Sequence, residues 1–307
     1  MSYYTQLHHE SLLHIRGPDT LTFLQGQTTC DTRELEGARA LPGVYCTPKG
    51  RVVCDFLLSE LGEDHLALRM RQDVVENAAA TFGKYIVFSK AELDTDNTQW
   101  QMLGVWGIDV RSKLQSLCDA VPDQQYCASR GDNYVLIQID EKGQQFECYL
   151  QAESATDLYS ELTSRLTEAD ETEWQSLQIE QGIGRIEAAT IEEFIPQVIN
   201  YDLTGHISFN KGCYTGQEVV ARLHYRGKSK RRMHLAALPQ QAAAGDPIFS
   251  DSEHSIGNVV NCAASEGGFN ALIVATESCL ADDLHLESIG GPVLTLKELP
   301  YSLPTNS

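Results

Sequence analysis

The spacing of apolar residues changes character along this chain, and that change limits the fold more than any other feature. The first half alternates strand-like runs with helical ones. Leu12-Leu13-His14-Ile15-Arg16 reads as a strand stopped by Gly17-Pro18, and Asp19-Thr20 then open a short helix carrying Leu21, Phe23 and Leu24. Segments 52–58 and 65–70 flank Leu61-Gly62-Glu63-Asp64 as a hairpin. From Asp73, Val74, Val75, Ala78, Ala79 and Phe82 keep helical spacing, and Ile86-Val87-Phe88 is expected to return as a strand. A polar break at Asp94-Thr95-Asp96-Asn97-Thr98-Gln99 marks a boundary. Beyond it the mixture repeats: a strand at 102–106, a helix near 110–117, a hairpin of 135–139 with 146–150, and a helix over 157–166. Two such units are expected to be α+β domains with antiparallel sheets. After Met233 the helical period disappears. Short strands separated by Gly245-Asp246-Pro247, Ser265-Glu266-Gly267-Gly268 and Gly290-Gly291-Pro292 read as a small β-barrel or sandwich. The expected domains are 1–98, 99–232 and 233–307, with 175–232 free to pack back onto the first.

Composition narrows the class. Of the 307 residues 42% are hydrophobic and 21% charged, ordinary values for a soluble globular protein. The start, Met1-Ser2-Tyr3-Tyr4-Thr5-Gln6, lacks the basic and apolar regions of a signal peptide. No run approaches the roughly 18–20 apolar residues that span a bilayer, so a cytoplasmic protein without a membrane partner is expected. The nine cysteines, at 30, 46, 54, 118, 127, 148, 213, 262 and 279, include no C-x-x-C pair. That argues against a zinc ribbon or a dithiol, and for reduced thiols with no metal site of their own. The acidic stretch Glu168-Ala169-Asp170-Glu171-Thr172-Glu173 reads as a solvated linker and helix start.

A net charge of −20 argues against a general nucleic-acid binder, which needs clustered cations for phosphate. The charge is uneven, however. Arg222, Arg226, Lys228, Lys230, Arg231 and Arg232 fall in one acid-free segment, and removing that +6 from −20 leaves −26 for the rest. The segment is an anion-attracting spot in an acidic chain.

It follows directly on the run Lys211-Gly212-Cys213-Tyr214-Thr215-Gly216-Gln217-Glu218, which sets one thiol between two glycines and beside a lysine. Thr215 and Glu218 have capping-box spacing, so Thr215 is expected to cap the helix while Glu218 reaches back, which brings the helix's positive end near Cys213. With Lys211, that setting would favour the thiolate. Gly212 and Gly216 are expected at backbone angles or approaches that a side chain forbids. Glu218 and Arg222 are four apart and are expected to pair on one helix face.

Around this run stand Phe194-Ile195-Pro196-Gln197, Gly205-His206-Ile207-Ser208-Phe209, Val220-Ala221-Arg222, Arg226-Gly227 and Lys230-Arg231. Gly17 with Phe23-Leu24-Gln25-Gly26-Gln27 opens the chain, and Leu299-Pro300-Tyr301-Ser302-Leu303 closes it. This order resembles the YgfZ family, folate-binding proteins linked to iron–sulfur enzymes and tRNA modification, over nearly the whole chain. The resemblance implies an α+β fold of two ferredoxin-like domains and a C-terminal β-barrel around a central folate channel, as in the T-protein of glycine cleavage. It implies tetrahydrofolate or a derivative as cofactor. It also implies iron–sulfur enzymes such as tRNA thiomethyltransferases as partners, and leaves direct tRNA contact open.

Carried over residue by residue, the resemblance makes Glu180 a ligand of the pterin ring and Trp174 a stacking platform for it. Glu10 stands near the place of the family's second folate-site tryptophan. Lys211, Tyr214, Gln217 and Arg222 of the motif join the folate-binding set, and Cys213 becomes a functional thiol at the channel mouth. Aminomethyltransferases carry Asp-Asp where this chain has Cys54-Asp55. Asp55 is therefore the residue on which a tetrahydrofolate-dependent one-carbon transferase, the alternative to an accessory protein, would depend.

Overall fold

A computed structural model describes residues 1–35, 38–227, 229–250 and 254–304. The chain divides into two compact units, each built from two segments: Met1–Gly43 with Phe56–Glu171, and Val44–Asp55 with Thr172–Ser307. Among the described residues there are two open sheets and one closed barrel.

One sheet of the first unit orders its five strands Leu41–Cys46, Val52–Gly62, His65–Arg71, Glu10–Arg16 and Glu92–Asp94. Both of the first two strands run on into the 44–55 segment of the other unit. The inner strand Glu10–Arg16, between His65–Arg71 and Glu92–Asp94, is buried on both faces, so its continuous apolar run, Leu12, Leu13 and Ile15, is what such a position requires. That placement also buries His14, whose Nδ1 lies 3.0 Å from Nε2 of His65. The other sheet runs Thr167–Glu168, Ser2–Gln6, Trp100–Gly107, Gln145–Gln151, Tyr134–Gln138 and Ala128–Arg130. Leu103, Val105, Phe146, Cys148 and Leu150 of this sheet pack with Val110 and Leu114 of the helix Val110–Gln115 and Leu162 of the helix Thr156–Arg165. Arg69 is buried between two acids, 2.7 Å from Glu147 and 3.5 Å from Glu10. Glu10 thus supports an internal ion network.

Two expectations change here. Ile86 ends the helix Val75–Ile86 rather than starting a strand, because Val75, Ala78, Phe82 and Ile86 continue one buried helical stripe. Val87 and Phe88 fall outside that period and stand exposed, Phe88 at 90%. The returning strand is Glu92–Asp94, which pairs Leu93 with Ile15. The acidic stretch is also not a free linker. Thr167–Glu168 pairs with Tyr3–Tyr4, and Glu171 accepts the backbone N–H groups of His8 and His9 at 3.1 and 3.0 Å.

The second unit closes Arg231–Leu238, Gly268–Thr276, Ser255–Ser265, Pro247–Phe249, Leu284–Leu286 and Val293–Lys297 into a barrel. Small and branched residues such as Ala236, Ile248, Val259, Ala271 and Ile273 fill it, as a barrel of this size requires. Tyr301 ties the C-terminal segment to the same unit, donating to the Gly182 carbonyl at 2.6 Å and accepting from Asn200 at 3.2 Å. Among the described residues no helix is long and apolar enough to cross a membrane.

Candidate functional site

The motif loop leads into the helix Gln217–Arg226, which starts one residue later than the capping-box spacing implied. Gly216 is its N-cap, with φ of 84°, and no side chain caps it. The reason is close packing. A Cβ on Gly216 would lie 2.6 Å from the Thr47 carbonyl oxygen, and one on Gly50 would lie 2.7 Å from Cβ of Val219. The helix start therefore seats on the turn at residues 47–50, at two positions open only to glycine. Gly212, by contrast, has open space around it and no positive φ, so its expected constraint is absent.

Cys213 is the one exposed cysteine of the nine, all of which lie among the described residues. It stands four residues ahead of Gln217, so the helix end is further from the thiol than expected. Burial pushes Cys46 up to about 12 and Cys118 to about 11, and also raises Cys54 and Cys148. Lys211 is turned inward. Its Nζ lies 5.2 Å from the centre of the Tyr214 ring, and both residues are buried. Burial also raises the Tyr214 phenol. These two side chains support the loop from beneath.

The scattered motif segments meet around this helix. Val52 N–H donates to the Phe194 carbonyl at 2.8 Å, and Gln197 Nε2 donates to the Val220 carbonyl at 2.7 Å. Arg232 donates to the Gln197 carbonyl at 2.7 Å and to both oxygens of Asp202 at 2.7 and 3.0 Å. Tyr201 stacks on His206 at 4.3 Å and donates to the Gly184 carbonyl at 2.7 Å. Arg232 therefore belongs to the interior, and Lys228 lies outside the described residues. Arg222, Arg226, Lys230 and Arg231 are exposed. Among the described residues none of the four forms an ion pair, and Glu218 does not pair with Arg222. Gln217 is half-buried at the first turn.

Asp55 is only 3% exposed. Its Oδ2 accepts from Arg185 Nε and its Oδ1 from the Ile186 N–H at 2.6 Å. Asn261 holds Arg185 in turn, accepting its backbone N–H at 2.7 Å and donating to its carbonyl at 2.9 Å. Sequence reasoning missed Arg185 and Asn261. The unread signal was a lone cation in the otherwise apolar run Ile183-Gly184-Arg185-Ile186.

Glu180 closes the helix Glu171–Glu180 and is exposed. Its Oε1 accepts from Asn270 Nδ2 at 2.9 Å, and Asn270 Oδ1 accepts from Lys297 at 2.7 Å. Neither Asn270 nor Lys297 carried a sequence signal. Trp174 is only 3% exposed on the same helix. Six residues turn an α-helix by about 600°, so Trp174 and Glu180 lie about 120° apart around its axis. A pterin fits the acceptor chemistry in part: Glu180 Oε2 takes no described hydrogen bond, and Gln175 Nε2 is buried without a partner. The Trp174 ring offers no open face.

Residues 4–203 match the family described as the GCVT N-terminal domain. The tRNA-modifying protein YgfZ of Serratia proteamaculans (strain 568) is 31% identical over 300 residues, covering 95% of this chain and 90% of that protein. Its counterpart in Sodalis glossinidius (strain morsitans) is 30% identical, covering 95% and 91%. In three dimensions the chain resembles the glycine cleavage system aminomethyltransferase T from Bartonella henselae. The TM-score is 0.77 at 16% identity, over 97% of this chain and 86% of that one, which establishes the shared fold.

Proposed function

Because this chain belongs to the YgfZ family of GCVT-domain proteins, we propose that it is a folate-binding accessory protein for iron–sulfur enzymes and tRNA modification, thiomethylation included. The observation that carries this reading is the exposure of Cys213 alone among nine cysteines, in a loop anchored by Gly216 and Gly50. A thiol needed only for packing would be buried, as Cys46 and Cys54 are. Exposed, Cys213 can meet sulfur or a cluster on a client enzyme. When bound, tetrahydrofolate supplies reduced one-carbon or redox chemistry. Glu180 Oε2 would accept a pterin N–H, with Asn270 and Lys297 holding the carboxylate in place. Trp174 would serve as wall beneath the site rather than as a stacking face.

The geometry of Asp55 favours the accessory reading over the transferase. Both of its oxygens accept buried hydrogen bonds, from Arg185 and the Ile186 N–H, which supports a structural use of this carboxylate. Two assays test the proposal. Tetrahydrofolate should quench tryptophan fluorescence, and Glu180→Gln should weaken binding by about 1–3 kcal/mol. In a deletion strain, Cys213→Ser should fail to restore tRNA thiomethylation while accumulating normally. Product formation from tetrahydrofolate and an aminomethyl or methylamine donor would favour the transferase instead, and an unchanged affinity in Glu180→Gln would move the pocket elsewhere.

A further inference from the structure

The C-terminal half of the helix Gln217–Arg226 carries an aromatic cluster that nothing in the folate reading uses. The rings of Phe209 and His224 stack at 3.6 Å with 14° between their planes. Tyr225 stands edge-on to both, at 6.4 Å from Phe209 and 4.7 Å from His224, and is 68% exposed. Arg222 lies three residues before Tyr225 and four before Arg226, the spacings at which side chains are neighbours on a helix surface. Lys230 and Arg231 follow at the entry to the barrel. The Glu277 N–H donates to the Lys230 carbonyl at 3.0 Å, which anchors that entry. The four cations have no acidic partner among the described residues, in a chain whose net charge is −20.

We propose that this face binds RNA at unpaired bases, with a base stacked on Tyr225 and the backbone phosphates held by Arg222, Arg226, Lys230 and Arg231. The charge argues for a polyanion, since free cations on an otherwise acidic surface gain affinity by releasing condensed counterions. The aromatics narrow the polyanion to one with exposed planar groups. An acidic peptide has carboxylates and no flat face for Tyr225, and a duplex keeps its bases stacked inside, whereas unpaired bases present a π-face that any aromatic ring can take. The Phe209–His224 pair braces Tyr225 from the side, which keeps its ring oriented before the ligand arrives. This surface requires neither folate nor Cys213, so its failure would leave the accessory reading standing.

The test is fluorescence anisotropy on the full chain with a labelled 15-nucleotide oligouridine, the same sequence as DNA, a 15-base-pair RNA duplex and poly-glutamate as competitor. The single-stranded RNA should bind more tightly than the duplex, and poly-glutamate should compete weakly. Tyr225→Ala should weaken binding to it by about 5- to 150-fold with the salt dependence nearly unchanged, as loss of one stacked base predicts. Tyr225→Phe keeps the ring and should bind like the parent. Arg222→Glu with Arg226→Glu should cut the slope of log K against log salt by about 1.4, at roughly 0.7 per lost single-strand phosphate contact. Unchanged melting curves would show that the variants fold. Equal binding by Tyr225→Ala and the parent would overturn the proposal, as would a duplex or poly-glutamate that binds as tightly as the single strand. Preference for the DNA strand over RNA would overturn its assignment to RNA.

Discussion

Arg185 donates its Nε–H to Oδ2 of Asp55, and that contact pairs a buried carboxylate with a buried cation. The Ile186 N–H occupies the other oxygen at 2.6 Å, and both side chains are buried. Removing one partner of such a pair leaves an uncompensated buried charge. Arg185→Leu should therefore cost about 3–5 kcal/mol of unfolding free energy. Arg185→Leu combined with Asp55→Asn should recover a large part of that loss, because no bare charge then remains. Urea denaturation of the three proteins measures both, and a double variant no more stable than Arg185→Leu would contradict the pairing.

The two glycines under the helix start should behave differently from the glycine beside the thiol. Gly216→Ala forces φ of 84° on a residue with a Cβ and drives that Cβ to 2.6 Å from a backbone oxygen, so it should destabilise by about 1–3 kcal/mol. Gly212→Ala meets nothing and should stay within about 0.5 kcal/mol of the parent. Thermal melts of both variants test the contrast.

Histidine should make the first unit sensitive to mild acid. Burial, then the neighbouring Arg16, lowers both His14 and His65, bringing His65 down to about 4, while Asp94 pulls the other way on both. The unfolded chain, with histidines near 6.5, takes up these protons first. Stability is therefore fully present above about pH 6.5 and is lost as pH falls from there toward about 4. Urea midpoints at pH 7.5, 6 and 5 should fall in that order, and His65→Gln should flatten the decline.

Thiol reactivity should sort by exposure. Iodoacetamide at pH 7.5 should label Cys213 before the other eight, since burial is the main cause that keeps Cys46 near 12 and Cys118 near 11 in their thiol forms. Timed peptide mapping reads the order, and Cys213 among the slow sites would contradict it. Cys213→Ser should shift stability by no more than about 0.5 kcal/mol.

Much of this molecule could be read from residue order alone. Period-two and period-3.6 apolar spacing is local, so it placed the hairpin at 52–70, the helix carrying Val75, Ala78 and Phe82, and the all-β segment after Met233 close to where the structure has them. The motif order placed the chain in its family for the same reason: those residues are contiguous in sequence. Contacts between distant segments were decided only by folding. Nothing near Asp55 announces Arg185, 130 positions away, and nothing near Glu180 announces Asn270 and Lys297. The capping box at Thr215 was locally sound, yet Gly216 took the cap because the turn at residues 47–50 lies against it. Arg232 read as part of an exposed cation run until Asp202, 30 positions away, drew it inside. A lone charge is buried only where a partner arrives from elsewhere in the chain, and only the tertiary structure supplies that partner.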